Sequence, residues 1–141
     1  MGKLIGIDYG RRRVGIAVSD ELQIIASPLC TLSSEETLVF LKEYCAENPV
    51  DTIVVGQPRH TYSAEAPVEI EADILAFVAQ LGAALPGITI ERYDERFTSK
   101  IAARDMFASG APKSKRQEKG ALDRTCAAII LRDYMESRGR R

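Results

Sequence analysis

Lys3-Leu4-Ile5-Gly6-Ile7-Asp8-Tyr9-Gly10 is a short apolar run that ends on a carboxylate and turns at once through glycine. After Arg11-Arg12-Arg13 the apolar pattern resumes as Val14-Gly15-Ile16-Ala17-Val18-Ser19-Asp20. The two runs read as adjacent strands joined by a tight turn rich in Gly and Arg. A strand that buries Leu4, Ile5 and Ile7 should not end on a bare charge at the centre of a sheet, because an unpaired buried carboxylate costs several kcal/mol. Asp8 is therefore expected to have a cationic partner.

Working outward, Gln23-Ile24-Ile25-Ala26 before Ser27-Pro28 reads as a short third strand. Ser33 with Glu36 forms a capping-box pattern, followed by Leu38, Leu41 and Cys45 at helical spacing until Asn48-Pro49 stops the helix. Asp51-Thr52-Ile53-Val54-Val55-Gly56 is a continuous β-branched run of the kind buried on both faces in a parallel sheet. A helix with Ile70, Ile74, Phe77, Val78 and Leu81 on one face follows, and Pro86-Gly87 ends it. Ile88-Thr89-Ile90-Glu91-Arg92-Tyr93 reads as the fifth strand. Thr98 suits the N-cap of a helix carrying Ile101, Met106 and Phe107. In the last helix Asp123, Ala127, Ile130, Leu131 and Tyr134 fall on one apolar face. This β-β-β-α-β-α-β-α-α order predicts an α/β protein whose mixed five-stranded sheet carries helices on both faces.

At 141 residues, 45% of them hydrophobic, the chain suits one domain over 1–141. No apolar run approaches the roughly 20 residues of a membrane span and no signal peptide opens the sequence, so a cytoplasmic protein is expected. Cys30, Cys45 and Cys126 lack CxxC spacing and read as ordinary thiols, neither a disulfide framework nor a zinc site. The lone histidine, His60, sits in a polar loop without a nucleophile signature around it.

The chemistry lies in the acids. Asp8 closes the first strand and Asp94-Glu95 closes the fifth, and ligands collect at the carboxyl ends of strands in open α/β sheets. Asp123 shares its helix's apolar face and would point inward, although an acid near a helix start also suits the macrodipole. Strand alternation sends Asp94 and Glu95 to opposite faces, and Glu95 is the one expected to join Asp8 and Asp123 as catalytic and metal-ligating residues. Three carboxylates in one pocket repel each other unless a hard divalent cation, Mg²⁺ or Mn²⁺, sits among them. Such ions activate water for phosphodiester cleavage. The formal net charge is −1, yet bases gather in the Arg11-Arg12-Arg13 turn, at Lys113, Lys115, Arg116 and Lys119, and at Arg138, Arg140 and Arg141. All three groups, with Arg96, are expected to hold substrate phosphates.

Asp8-Tyr9-Gly10 with Val14 to Val18, Ile53-Val54-Val55-Gly56-Gln57-Pro58, Asp94-Glu95-Arg96-Phe97-Thr98-Ser99 and Asp123 to Leu131 together resemble the bacterial YqgF family. The resemblance implies an RNase H-like fold related to Holliday-junction resolvases and a cytoplasmic nuclease that matures the 5′ end of 16S ribosomal RNA precursor. It also implies an active site of Asp8, Glu95 and Asp123. The chain departs from the family pattern at Gln57, His60 and Tyr62-Ser63, which bears on substrate more than on metal chemistry. Alternatives are a resolvase-like DNA endonuclease and a non-catalytic RNA-binding ribosome-assembly factor. An actin-like ATPase, suggested by Asp8-Tyr9-Gly10 alone, would need a second domain and a second phosphate loop. The sequence leaves the oligomeric state open.

Overall fold

A computed structural model describes residues 2–10, 12–57, 66–94 and 119–139, with side chains left undescribed at 66–69, 119 and 139. Five strands form one sheet: β1 (Lys3–Tyr9), β2 (Val14–Ser19), β3 (Ala26–Leu32), β4 (Val50–Gln57) and β5 (Thr89–Asp94). The described helices are α1 (Ser34–Glu47), α2 (Ala66–Ala84) and α3 (Lys119–Gly139). The spatial order is β3-β2-β1-β4-β5, with β1 antiparallel to β2, β2 antiparallel to β3, and both β1·β4 and β4·β5 parallel. The sheet is mixed and five-stranded, as the sequence predicts. The helix expected after Thr98, with Ile101, Met106 and Phe107, lies outside the described residues.

Alternation divides the sheet into two apolar faces. Ile5 and Ile7 of β1, Val14 and Ile16 of β2, and Ile53 and Val55 of β4 point one way, onto Leu41 of α1 and Ile74, Phe77 and Leu81 of α2. Leu4, Ala17 and Val54 point the other way, onto Ala127, Ala128, Ile130, Leu131 and Tyr134 of α3. The run from Thr52 to Gly56 is buried throughout because β4 is covered on both faces. The capping box at α1 is present: Glu36 N–H donates to Ser33 Oγ at 3.2 Å and Ser33 N–H donates to Glu36 Oε1 at 3.1 Å.

The third strand needs correction. The chain turns over residues 21–23, Ile24 and Ile25 lie outside any strand, and β3 begins at Ala26, running through Pro28 to Leu32. The Asp20 carboxylate accepts the N–H groups of Ile24 and Ile25, both at 2.8 Å, and Gln23 takes a left-handed φ of 57°. A side chain that satisfies two consecutive amides stabilises a turn over a ladder. Pro28 is tolerated within β3 because this is an edge strand, beside a register shift where Ile16 pairs Cys30 and Ala17 pairs Pro28.

On the α3 face, small residues let the helix approach the sheet closely. A Cβ on Gly6 would stand 2.7 Å from Leu131 Cβ and 2.8 Å from the Ala127 carbonyl oxygen. A Cβ on Gly15 would stand 2.0 Å from the Asp123 carbonyl oxygen. The start of α3 is held further by Thr31, whose Oγ1 donates to the Gly120 carbonyl at 2.6 Å. Because α3 meets β2 through Asp123 and β1 through Ala127 and Leu131, its N-terminal part lies at the carboxyl end of β1.

Gly15→Ala should therefore lower the unfolding free energy by about 3 kcal/mol, since backbone and not a flexible side chain fills the space its methyl needs. Gly82→Ala in α2, where nothing lies within 4 Å of the added carbon, should raise it by about 0.5 to 1 kcal/mol. Urea denaturation of the two variants checks both signs.

Candidate active site

Asp8 is the penultimate residue of β1 and is only 4% exposed. It shares the α3 face with Leu4 and Gly6, whereas Ile5, Ile7 and Tyr9 face α1 and α2, the Tyr9 ring lying 5.0 Å from that of Phe77. Its cross-strand partner is Gly15, the glycine against which the Asp123 backbone rests. Two acids separated by more than a hundred residues are thus brought to one end of the sheet and one face of it.

Asp123 stands one turn into α3, whose first turn carries no acid. A simple helix-dipole role accordingly loses its usual position. Its Oδ2 accepts from Arg13 Nε at 2.6 Å, in a pair whose side chains are 18% and 38% exposed respectively. Arg13 enters this pair from the β1–β2 turn, which closes with Gly10 N–H donating to the Arg13 carbonyl at 2.9 Å. Sequence reasoning assigned Arg13 to substrate phosphate and missed its proximity to Asp123, because nothing local links positions 13 and 123.

Asp94 ends β5 at the same edge, paired with Gln57. It shares the α2 face with Ile90 and Arg92, away from the face of Asp8. Arg92 closes this end by donating to the carbonyls of Val55 (3.2 Å) and Gly56 (3.1 Å) and to Glu71 Oε1 (2.7 Å). Gly56, paired with Tyr93, occupies the α3 face of β4 between β1 and β5, so the position between the two acidic strand ends carries no side chain. Those strand ends are two strand spacings apart, about 10 Å.

Glu95, Arg11, Arg96, Lys113, Lys115 and Arg116 lie outside the described residues, as do His60 and the rest of the 58–63 stretch, and the side chain of Lys119 is undescribed. Arg12 is exposed on the turn beside Arg13. Among the described residues no group of three His, Cys, Asp or Glu side chains is arranged to hold a metal ion. Arg138, read as part of a basic tail, donates to Tyr134 Oη at 2.9 Å, and that hydroxyl in turn donates to Glu91 on β5. Burial pushes the Cys30 and Cys45 thiols up from their ordinary value. A cleft of about 520 Å³ opens between α1 and α2, lined by residues that include Tyr9, Leu38, Lys42, Asp73 and Phe77; it lies on the opposite face of the sheet from Asp8.

The sequence model of the RuvX family, described as Holliday junction resolvase, matches residues 2–137. The chain belongs to the RuvX family. Curated relatives carry the name "Putative pre-16S rRNA nuclease": one from Parabacteroides distasonis is 44% identical over 98% of this chain and 97% of its own length. One from Flavobacterium johnsoniae is 41% identical over 98% and 99%. Among solved structures, Thermus thermophilus RuvC in complex with a Holliday junction substrate superposes with a TM-score of 0.59 at 15% identity, covering 99% of this chain and 96% of that one. The likeness is one of fold, and the fold of this RuvX member is RNase H-like.

Tyr134 anchors α3 against β5, and burial first, then the hydrogen bond to Glu91, raises its phenol above the usual value of 10.0. A raised folded-state value means stability fully present below the unfolded value and lost as pH rises through the folded one. The urea midpoint should fall above pH 10. Tyr134→Phe should flatten that fall, which parallel denaturation series across this range would reveal.

Proposed function

We propose that this chain is a divalent-metal-dependent nuclease, one domain spanning 1–141, that trims the 5′ end of precursor 16S ribosomal RNA in the cytoplasm. The observation that carries the reading is the buried Asp8 carboxylate at the carboxyl end of the central strand, with α3 seated through Asp123 on its cross-strand glycine. The names of the RuvX relatives supply the substrate class. Among the described residues no helix is long and apolar enough to cross a membrane.

The residues present suit a hard divalent cation. Asp8, Asp123 and Glu95 form an all-oxygen donor set of the kind Mg²⁺ and Mn²⁺ prefer. Asp123 already accepts from one cation, the Arg13 guanidinium, so its surroundings accommodate positive charge. Glu95 rather than Asp94 completes the set, since Asp94 lies on the α2 face. A bound cation supplies Lewis acidity toward the attacking water and the departing oxygen. The chain's own part is to hold Asp8 rigidly between two strands, to hold Asp123 on a helix pinned to the sheet, and to exclude bulk water beneath them. Arg11, Arg12, Arg13, Arg96, Lys113, Lys115, Arg116 and Lys119 bind the phosphate backbone, which gives affinity with little sequence information and leaves selection to substrate shape.

A resolvase-like action on DNA junctions is the second reading, favoured by the description of the RuvX family. The two separate in one experiment: purified protein and its Asp8→Asn variant are incubated with a 5′-extended 16S precursor fragment or a four-way DNA junction, in Mn²⁺ or chelator. Cleavage of the RNA, dependent on Mn²⁺ and reduced at least about 100-fold in a folded Asp8→Asn variant, is the expected outcome. Cleavage of the junction alone moves the function to recombination. Binding of RNA without cleavage moves it to a ribosome-assembly factor, and cleavage by the variant at the parent rate removes Asp8 from the active site.

A further inference from the structure

We infer that Arg13 is an exchangeable counter-ion of Asp123, a positioning residue that holds and neutralises this carboxylate until a divalent cation displaces it. The inference rests on the metal-dependent reading above and adds to it a role for a residue of this chain. The pair is short and charge-assisted, with Nε 2.6 Å from Oδ2, and it spans 110 positions of sequence. It is also partly open: Arg13 is 38% exposed, so its guanidinium can leave Asp123 for water without the cost of baring a buried cation.

Geometry gives the contact its meaning. The Asp123 backbone is seated against Gly15, the cross-strand partner of Asp8, and Thr31 ties Gly120 at the helix start. The carboxylate is consequently kept near a second acid whether or not metal is present, and a cation from the chain itself offsets that charge in the metal-free protein. The turn that carries Arg13 is fixed at its base by the hydrogen bond from Gly10 N–H to the Arg13 carbonyl, and from there the guanidinium reaches Asp123. Arg13 and the metal then compete for one oxygen, and Arg13 is withheld from phosphate until the metal binds.

Mn²⁺ affinity, with free ion counted by electron paramagnetic resonance, tests the competition in the absence of nucleic acid and of turnover. Arg13→Gln should bind Mn²⁺ roughly tenfold more tightly than the parent, the effect of removing one competing charge at a half-exposed site. Arg13→Lys, which keeps the positive charge beside Asp123, should stay within about twofold of the parent. Unchanged or weaker Mn²⁺ binding by Arg13→Gln, with the parent binding normally, would overturn the counter-ion role and leave the nuclease reading standing. A parent protein that binds no Mn²⁺ at all would remove the nuclease reading itself. The parent also offers a measurement free of folding concerns: the Arg13 Nε–H resonance should be shifted and protected from exchange without metal, and should move to the position of a solvated guanidinium as Mg²⁺ is added. A resonance indifferent to Mg²⁺ in a protein that binds the ion overturns the proposal.

Discussion

The close approach of α3 to the sheet is the constraint on which the rest depends. Gly6 and Gly15 lack the side chains that would hold the helix away, and Ala17 and Ala127 keep the same interface shallow. Small residues at a helix–sheet contact forfeit apolar burial that Val or Ile would provide. What they provide instead is proximity, since Asp123 can stand beside the strand pair that carries Asp8 only if its backbone rests directly on Gly15. The larger apolar side chains of the α1 and α2 face supply the bulk of the core.

From that contact follows an electrostatic problem and its local solution. Two carboxylates at one end of a sheet, one of them buried, raise each other's energy unless positive charge is near. The structure answers with Arg13 on the adjacent turn, in a single hairpin whose first strand carries Asp8 near its end and whose turn closes at Arg13. Arg92 performs a different task at the same edge, capping the carbonyls of Val55 and Gly56 and bridging to Glu71, so the strand ends that frame the proposed site are tied to α2 as well. The cleft between α1 and α2 lies on the face of the sheet opposite Asp8.

Much of the architecture was legible in the chain because its signals are local. The alternation through Leu4, Ile5, Gly6 and Ile7, the unbroken β-branched run of β4, the Ser33–Glu36 capping box and the 3.6-residue phase of Asp123, Ala127, Ile130, Leu131 and Tyr134 each state their structure within a few residues. The third strand was misread for a physical reason: Ile24 and Ile25 have strand-forming side chains, but Asp20 takes both their amides, and the edge position that makes Pro28 acceptable is a property of the sheet and not of the segment.

Asp8 could be singled out from sequence because a carboxylate at the end of an apolar strand is costly wherever the strand is packed, and Asp123 because helical phase puts it on a buried face. Those inferences need only periodicity and desolvation. That α3 comes to rest on Gly15, that Asp123 pairs with Arg13, and that Arg138 reaches Tyr134, whose hydroxyl meets Glu91, were decided by tertiary structure alone. Ion pairs between distant segments depend on how closely a helix sits on a sheet, and that separation is set by the summed packing of both faces, which no stretch of the chain encodes by itself.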